Sequence, residues 1–259
     1  MDHMKKLISI VFAVVLLSSC SVLQNVNWNS AQLQQAATSA LTAASITDAQ
    51  VAALSAQTIA QMDAQNTIDN GAYLERLRKV MAGIDEVNGL KLNYKVYKTQ
   101  EVNAFACGDG SIRVYSGLMD VMDDDELMAI IGHEIGHVVH KDSKNAMKNA
   151  YLAAAARGVI SATGGTIATL SQSVLGDIGE SFVSSQFSQK QEYNADKYGF
   201  EFAAAHGRDP YSMYNALNEL LELSGSSSSS SIVQHLFSSH PDTEKRAVKV
   251  KEMADAYKK

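Results

Sequence analysis

Proline and cysteine are almost missing, with two of each in 259 residues. Proline interrupts helices, so its scarcity beside frequent alanine and leucine favours a mostly helical protein. Two cysteines, Cys20 and Cys107, allow one disulfide on count alone, but Cys20 has a better explanation, given below. No basic stripe stands out and the formal net charge is −6, which argues against nucleic-acid partners. Long apolar runs are also wanting. The small-residue stretch 151–175 is broken by Arg157 and Gln172 and never reaches the ~18 clean apolar residues of a membrane span. With 46% hydrophobic and 19% charged residues, the chain still has apolar content for a sizeable core, as one large domain or one domain plus appendages.

The N-terminus reads as an address. Lys5 and Lys6 precede an apolar run from Leu7 to Leu17, then Ser18, Ser19 and Cys20. A basic segment, a short apolar run and small residues describe an export signal. Leu17-Ser18-Ser19-Cys20 resembles a bacterial lipobox, in which the cysteine is acylated and becomes the mature N-terminus. Acyl chains, at ~0.8 kcal/mol per buried methylene, hold such a protein on a membrane. We therefore expect a signal peptide over 1–19, a lipidated tether over 20–46, and a catalytic domain over 47–259. Cys107 is then an odd thiol outside the cytoplasm, either a buried small hydrophobe or a site for mixed disulfides.

Thr47 with Gln50 forms a capping-box pattern before a loosely amphipathic helix through Val51, Leu54, Ile59 and Met62. A second helix is expected from about Ala72 to Ile84. Leu92, Tyr94 and Val96 then alternate with polar residues, and residues 103–107 and 112–115 flank the turn signal Gly108-Asp109-Gly110. This predicts a small antiparallel sheet. Residues 151–175 suggest a close-packed helical hairpin, and 178–206 one long helix. The serine tract 226–231 reads as a flexible linker before His240-Pro241 and a charged helix over 242–257.

Chemistry enters at His133-Glu134-Ile135-Gly136-His137. Residues four apart share one helix face, so two imidazoles reach one metal ion and Glu134 sits where a general base toward water is needed. The flanks support a helix. Asp123 and Glu126 form a second capping box, followed by an apolar stripe at Leu127, Ile130, Ile131, Ile135 and Val138.

A catalytic zinc needs a third protein ligand. The extended metzincin spacing fails, because His140 and Ser143 occupy its glycine and histidine positions. His140 itself lies ~10 Å along the axis from His133. Glu192 is the better candidate, on a separate downstream helix, with Asp196 one turn on to accept a ligand histidine's ring N–H. Glu180 is its main competitor.

Several stretches together resemble the HtpX and CAAX prenyl endopeptidase family of zinc metallopeptidases, in its periplasmic lipoprotein branch. They are residues 103–106, Arg113 to Met119, His133 to His137, Ser185 to Gln189, Glu192 with Asp196, and His240-Pro241 with Arg246. The resemblance implies one zinc ion per chain on His133, His137 and Glu192, with Glu134 as catalytic base. It implies an α+β, mostly helical, gluzincin-type core with the small sheet beside the metal helix. The edge of that sheet, at Asn103, Ala104 and Phe105, would pair with extended substrate. His240 would either stabilise the oxyanion or serve as a removable fourth ligand. The expected protein is an outer-membrane lipoprotein facing the periplasm, hydrolysing unfolded or misfolded envelope proteins, with outer-membrane assembly factors or other proteases as partners. The rival expectation is a metal-binding chaperone or adaptor for envelope proteins, with latent or no proteolysis.

Overall fold

The structure, a computed structural model, describes residues 46–157, 170–225 and 231–257. The expected signal peptide, Cys20, nearly all of the tether, residues 158–169 of the expected hairpin and residues 226–230 lie outside them. Helix α1 (Asp48–Gln65) starts at the Thr47–Gln50 capping box. After a two-residue strand β1 (Ile68–Asp69) come α2 (Ala72–Val80), a small ribbon of β2 (Glu86–Val87) and β3 (Leu90–Lys91), and then β4 (Asn93–Tyr97), β5 (Ala104–Ala106) and β6 (Ser111–Tyr115). Short α3 (Ser116–Val121) leads into α4 (Asp124–Val139), which carries both motif histidines and begins at the Asp123–Glu126 capping box. The rest is helical: α5 (Asp142–Ala156), α6 (Gln172–Val183), α7 (Gln189–Ala205), α8 (Ser212–Gly225), α9 (Gln234–Ser239) and α10 (Thr243–Ala256).

The sheet order is β1-β4-β6-β5. The β5–β6 hairpin is antiparallel, as the Gly108-Asp109-Gly110 turn requires, but β4 runs parallel to β6 with Tyr97 beside Tyr115. The sheet is therefore mixed where an antiparallel one was expected. The segment from Lys98 to Asn103 crosses back rather than turning tightly, so adjacency in sequence did not become a hairpin. Both faces of the sheet are buried. Val96, Ala104, Ala106, Ile112 and Val114 join one core with α4, α7, α8 and α10. Tyr97, Phe105, Cys107 and Tyr115 join a second with α1, α5 and α6. The two-residue period of a strand makes this division. Arg113, 1% exposed, ties the sheet to α1 through a two-oxygen contact with Asp63. Cys107 is wholly buried and its thiol is pushed well up by that burial; this is the small-hydrophobe alternative, not an accessible thiol.

The expected single helix over 178–206 is two. Ser184 and Ser185 hydroxyls donate back to the Glu180 and Ser181 carbonyls and end α6. Ser188 with Gln191 then forms a third capping box and restarts the chain as α7. The break turns α7 so that it packs along α4.

That packing depends on a close approach at Gly199. A Cβ there would lie 2.6 Å from the Ala129 carbonyl oxygen and 2.9 Å from the His133 nitrogen. Gly199→Ala is expected to cost about 1–3 kcal/mol by forcing the helices apart. A drop in the urea midpoint together with weaker metal retention is the result to look for; an unchanged midpoint would mean the helices yield without cost.

Candidate metal centre

His133 and His137 lie one turn apart on α4, with Glu192 and Asp196 one turn apart on α7 facing them. All four are buried. The two histidine Nε2 atoms are 3.1 Å apart. Glu192 places Oε1 3.3 Å from His137 Nε2 and Oε2 3.8 Å from His133 Nε2. His240, just after α9, brings Nδ1 within 3.3 Å of His133 Nε2 and 3.1 Å of Glu192 Oε1. One donor atom from each of these four residues lies within 4.8 Å of the others. Donors held ~2.0–2.1 Å from a tetrahedral zinc ion are about 3.3 Å apart, so the set fits one ion at its centre.

The outer nitrogens fix the rings. His133 Nδ1 is 2.9 Å from Asp196 Oδ1, and His137 Nδ1 is 3.1 Å from Asp142 Oδ2. With those N–H groups donated outward, both Nε2 atoms turn lone pairs toward the same point. Buried lone pairs at that distance need a cation or a shared proton between them. Asp142 reaches His137 because the chain bends sharply at Lys141, whose φ of 66° is left-handed. Arg246 on α10 completes the surroundings. It holds Asp196 through both carboxylate oxygens at 2.6 and 2.8 Å and Glu192 Oε2 at 2.7 Å.

Burial alone would push both carboxylates up. His240 with His137 and Arg246 overrides this for Glu192, and Arg246 does so for Asp196, holding both below the usual carboxylate range. Burial pushes His133 down despite Asp196. For His137 burial also acts downward, but Asp142 and Glu192 outweigh it and raise the ring to about 9. Its metal-free form thus keeps a proton at neutral pH that an incoming ion must displace. Metal affinity is therefore expected to rise with pH up to about 9, by up to about tenfold per unit. Titration with a chelator-buffered divalent ion across that range would show it, and affinity that does not change with pH would contradict it.

Glu134 sits on the open side of the cluster, 3% exposed, with Oε1 3.7 Å from His240 Nε2. A void of about 20 Å³ borders His133, Glu134 and His240, room for one water. Asn103, Ala104 and Phe105 lie on the other side of Glu134, around a smaller void shared with Phe182 and Phe187. Here β5 is the outer strand of the sheet. Asn103 and Tyr115 form a hydrogen-bonded pair, so by alternation Ala104 and Ala106 direct their backbone groups to the free edge. That edge is covered. Phe187, in the α6–α7 break, stacks on His137 with ring centroids 4.0 Å apart, and its N–H donates to the Ser239 carbonyl.

His140 and Glu180 stand apart from the cluster. His140 ends α4 beside Tyr198, and Glu180 is exposed on α6. Sequence reasoning missed Asp142 as a partner of His137, the clamp made by Arg246 and the cover made by Phe187. Arg246 carried a signal, since a lone arginine in an otherwise amphipathic terminal helix is costly to bury without carboxylates.

This arrangement defines a metallopeptidase built on two facing helices. The chain belongs to peptidase family M48, which it matches over residues 69–254. It is 40% identical over 233 residues to the metalloprotease LoiP of Escherichia coli strain K12, covering 89% of this chain and 90% of that protein. It is 35% identical over 255 residues to the metalloprotease YcaL of the same strain, covering 97% and 98%. It is also 29% identical over 185 residues to an HtpX protease homologue of Salinibacter ruber, covering 59% and 64%. The chain is therefore a metalloprotease that acts on protein substrates.

Proposed function

We propose that this metalloprotease is a zinc endopeptidase of the bacterial cell envelope, anchored through lipid on Cys20 and cutting unfolded or misfolded proteins there. The observation that carries the peptidase half is Glu134 beside a four-donor cluster, under the free edge of β5. Metal binding alone has no use for that carboxylate. The nitrogen and oxygen donor set suits zinc, which when bound there would polarise a water and the scissile carbonyl. Glu134 takes the proton from the attacking water and passes it to the leaving amine. Extended substrate lies along Ala104 to Ala106, which selects for unfolded chain because a folded segment cannot offer its backbone to a strand edge. The envelope half rests on the signal-like N-terminus and Cys20. Among the described residues no helix is long and apolar enough to cross a membrane.

The test is fractionation of cells expressing the full chain, with a clickable palmitate analogue. The wild-type chain is expected in the membrane fraction carrying label, and Cys20→Ala is expected to lose both. A labelled or membrane-bound Cys20→Ala chain would remove the lipoprotein reading.

One observation favours the adaptor reading. His240 supplies a fourth donor and Phe187 covers the cluster, and a closed four-donor set is the mark of a non-catalytic site. The cover hangs on one backbone hydrogen bond and ring contacts with His137 and His240, which substrate or a partner can displace. We therefore read the closed form as a resting state of the enzyme.

A further inference from the structure

Beside the catalytic site lies a cleft of about 570 Å³, and the two share Asn103 and Val183. That volume is in the range of clefts that hold ligands. Its wall carries the carboxylates of Glu101, Asp177 and Glu180, all on exposed residues and none in an ion pair among the described residues. Among the described residues no lysine or arginine lines it, and His235 is its one basic group.

A second observation points to a ligand. Tyr115 is 9% exposed and lines the cleft, yet its hydroxyl has no hydrogen-bond partner among the described residues. Its neighbour Tyr97, also buried, donates to Asp63. Asn103, 2% exposed, is half-satisfied in the same way. Its Oδ1 accepts from the Ala104 N–H at 2.9 Å, while its amide nitrogen has no partner. Neither atom is among the fully enclosed unpaired ones, Ser55 Oγ and Thr58 Oγ1, so on two otherwise buried side chains that line the cleft these atoms stay open to something that enters.

The chemistry of the wall selects the occupant. The three carboxylates do not converge as metal ligands do, since the one such group among the described residues is the catalytic cluster. They are spread along a cleft, where a long cation can meet them severally, its stem against Met62 and Val183. The Tyr115 hydroxyl accepts from an ammonium or guanidinium and can donate to a carboxylate. The cleft meets β5 at Asn103. Three residues of extended chain, about 10 Å, separate that point from Ala106.

We propose that this cleft is a substrate subsite taking a lysine or arginine side chain within about three residues of the scissile bond. It rests on the peptidase reading above and adds a preference to it.

The test uses the zinc-loaded protein and fluorogenic peptides in which one residue, walked across the sequence, is lysine, norleucine or glutamate. At one position kcat/KM is expected to favour lysine over norleucine by about tenfold, glutamate being worst, and the ratio is expected to shrink at high salt. In the triple variant Glu101→Gln, Asp177→Asn, Glu180→Gln the ratio is expected to fall to about one. These residues are exposed, so the variant should fold, and circular dichroism checks it. A ratio near one at every position in the unsubstituted protein, or a ratio that persists in the triple variant, overturns the subsite. Cutting of the norleucine peptides would then still uphold the peptidase reading. No cutting of any peptide would overturn both.

Discussion

Glu134→Gln is expected to lower casein cutting by roughly 10²–10⁴-fold, the usual worth of a positioned general base, while bound metal stays at the level of the unsubstituted protein. The two halves of that result come from different atoms. The donors of the cluster are Nε2 of His133 and His137, a Glu192 oxygen and His240 Nδ1. Glu134 is not among them, so replacing its carboxylate with an isosteric amide leaves the ion's surroundings intact. What is lost is the acceptor for the water's proton. Activity assay and metal analysis on the same preparation read both halves. Zinc lost together with activity would show that Glu134 supports the ion, and the mechanism given above would fall. Zinc kept with no cutting in either protein would turn attention to the closed state. His240→Ala should then release cutting, because it removes a donor and the residue beside Phe187 at once.

How much of this was legible in the sequence depends on distance along the chain. The helix starts at Thr47 and Asp123 were readable because a capping box is a four-residue pattern that closes on itself. The metal helix was readable for the same reason, its two histidines being one turn apart. The pairing of β4 with β6 was not, since strand periodicity fixes which side chains share a face but says nothing of which strand lies alongside. The break between α6 and α7 was missed although Ser188 and Gln191 spell a third capping box, because apolar periodicity on both sides masked it. The site divides in the same way. Glu192 and Asp196 were candidates through spacing on one helix. Asp142 meets His137 through a left-handed residue that no propensity announces, and Arg246 arrives from 50 residues beyond Asp196.

Arg246→Ala is expected to be the most destabilising single change at the site, by about 3–5 kcal/mol in the metal-free protein. Arg246 is 2% exposed and bonds Asp196 twice and Glu192 once. Without it two carboxylates remain buried, Asp196 with only a neutral imidazole and Glu192 with the histidines of the cluster. A bound divalent ion restores part of the missing charge, so metal should raise the melting temperature of the variant more than that of the wild type. The pH dependence has a definite sign. In the wild type Arg246 holds the Asp196 carboxyl below its ordinary 3.8, so its contribution is present above about pH 4 and is lost as pH falls through the depressed value. In the variant, burial is opposed only by the hydrogen bond from His133, and the folded-state value is expected to rise above the unfolded one. The folded variant then binds more protons than the unfolded chain, and its stability falls as pH rises from about 4. The deficit against wild type should therefore be largest near neutrality and narrow toward pH 4. Thermal melts with chelator at several pH values measure it. A deficit that is constant with pH would mean that Arg246 contributes through packing rather than by holding two buried charges in place.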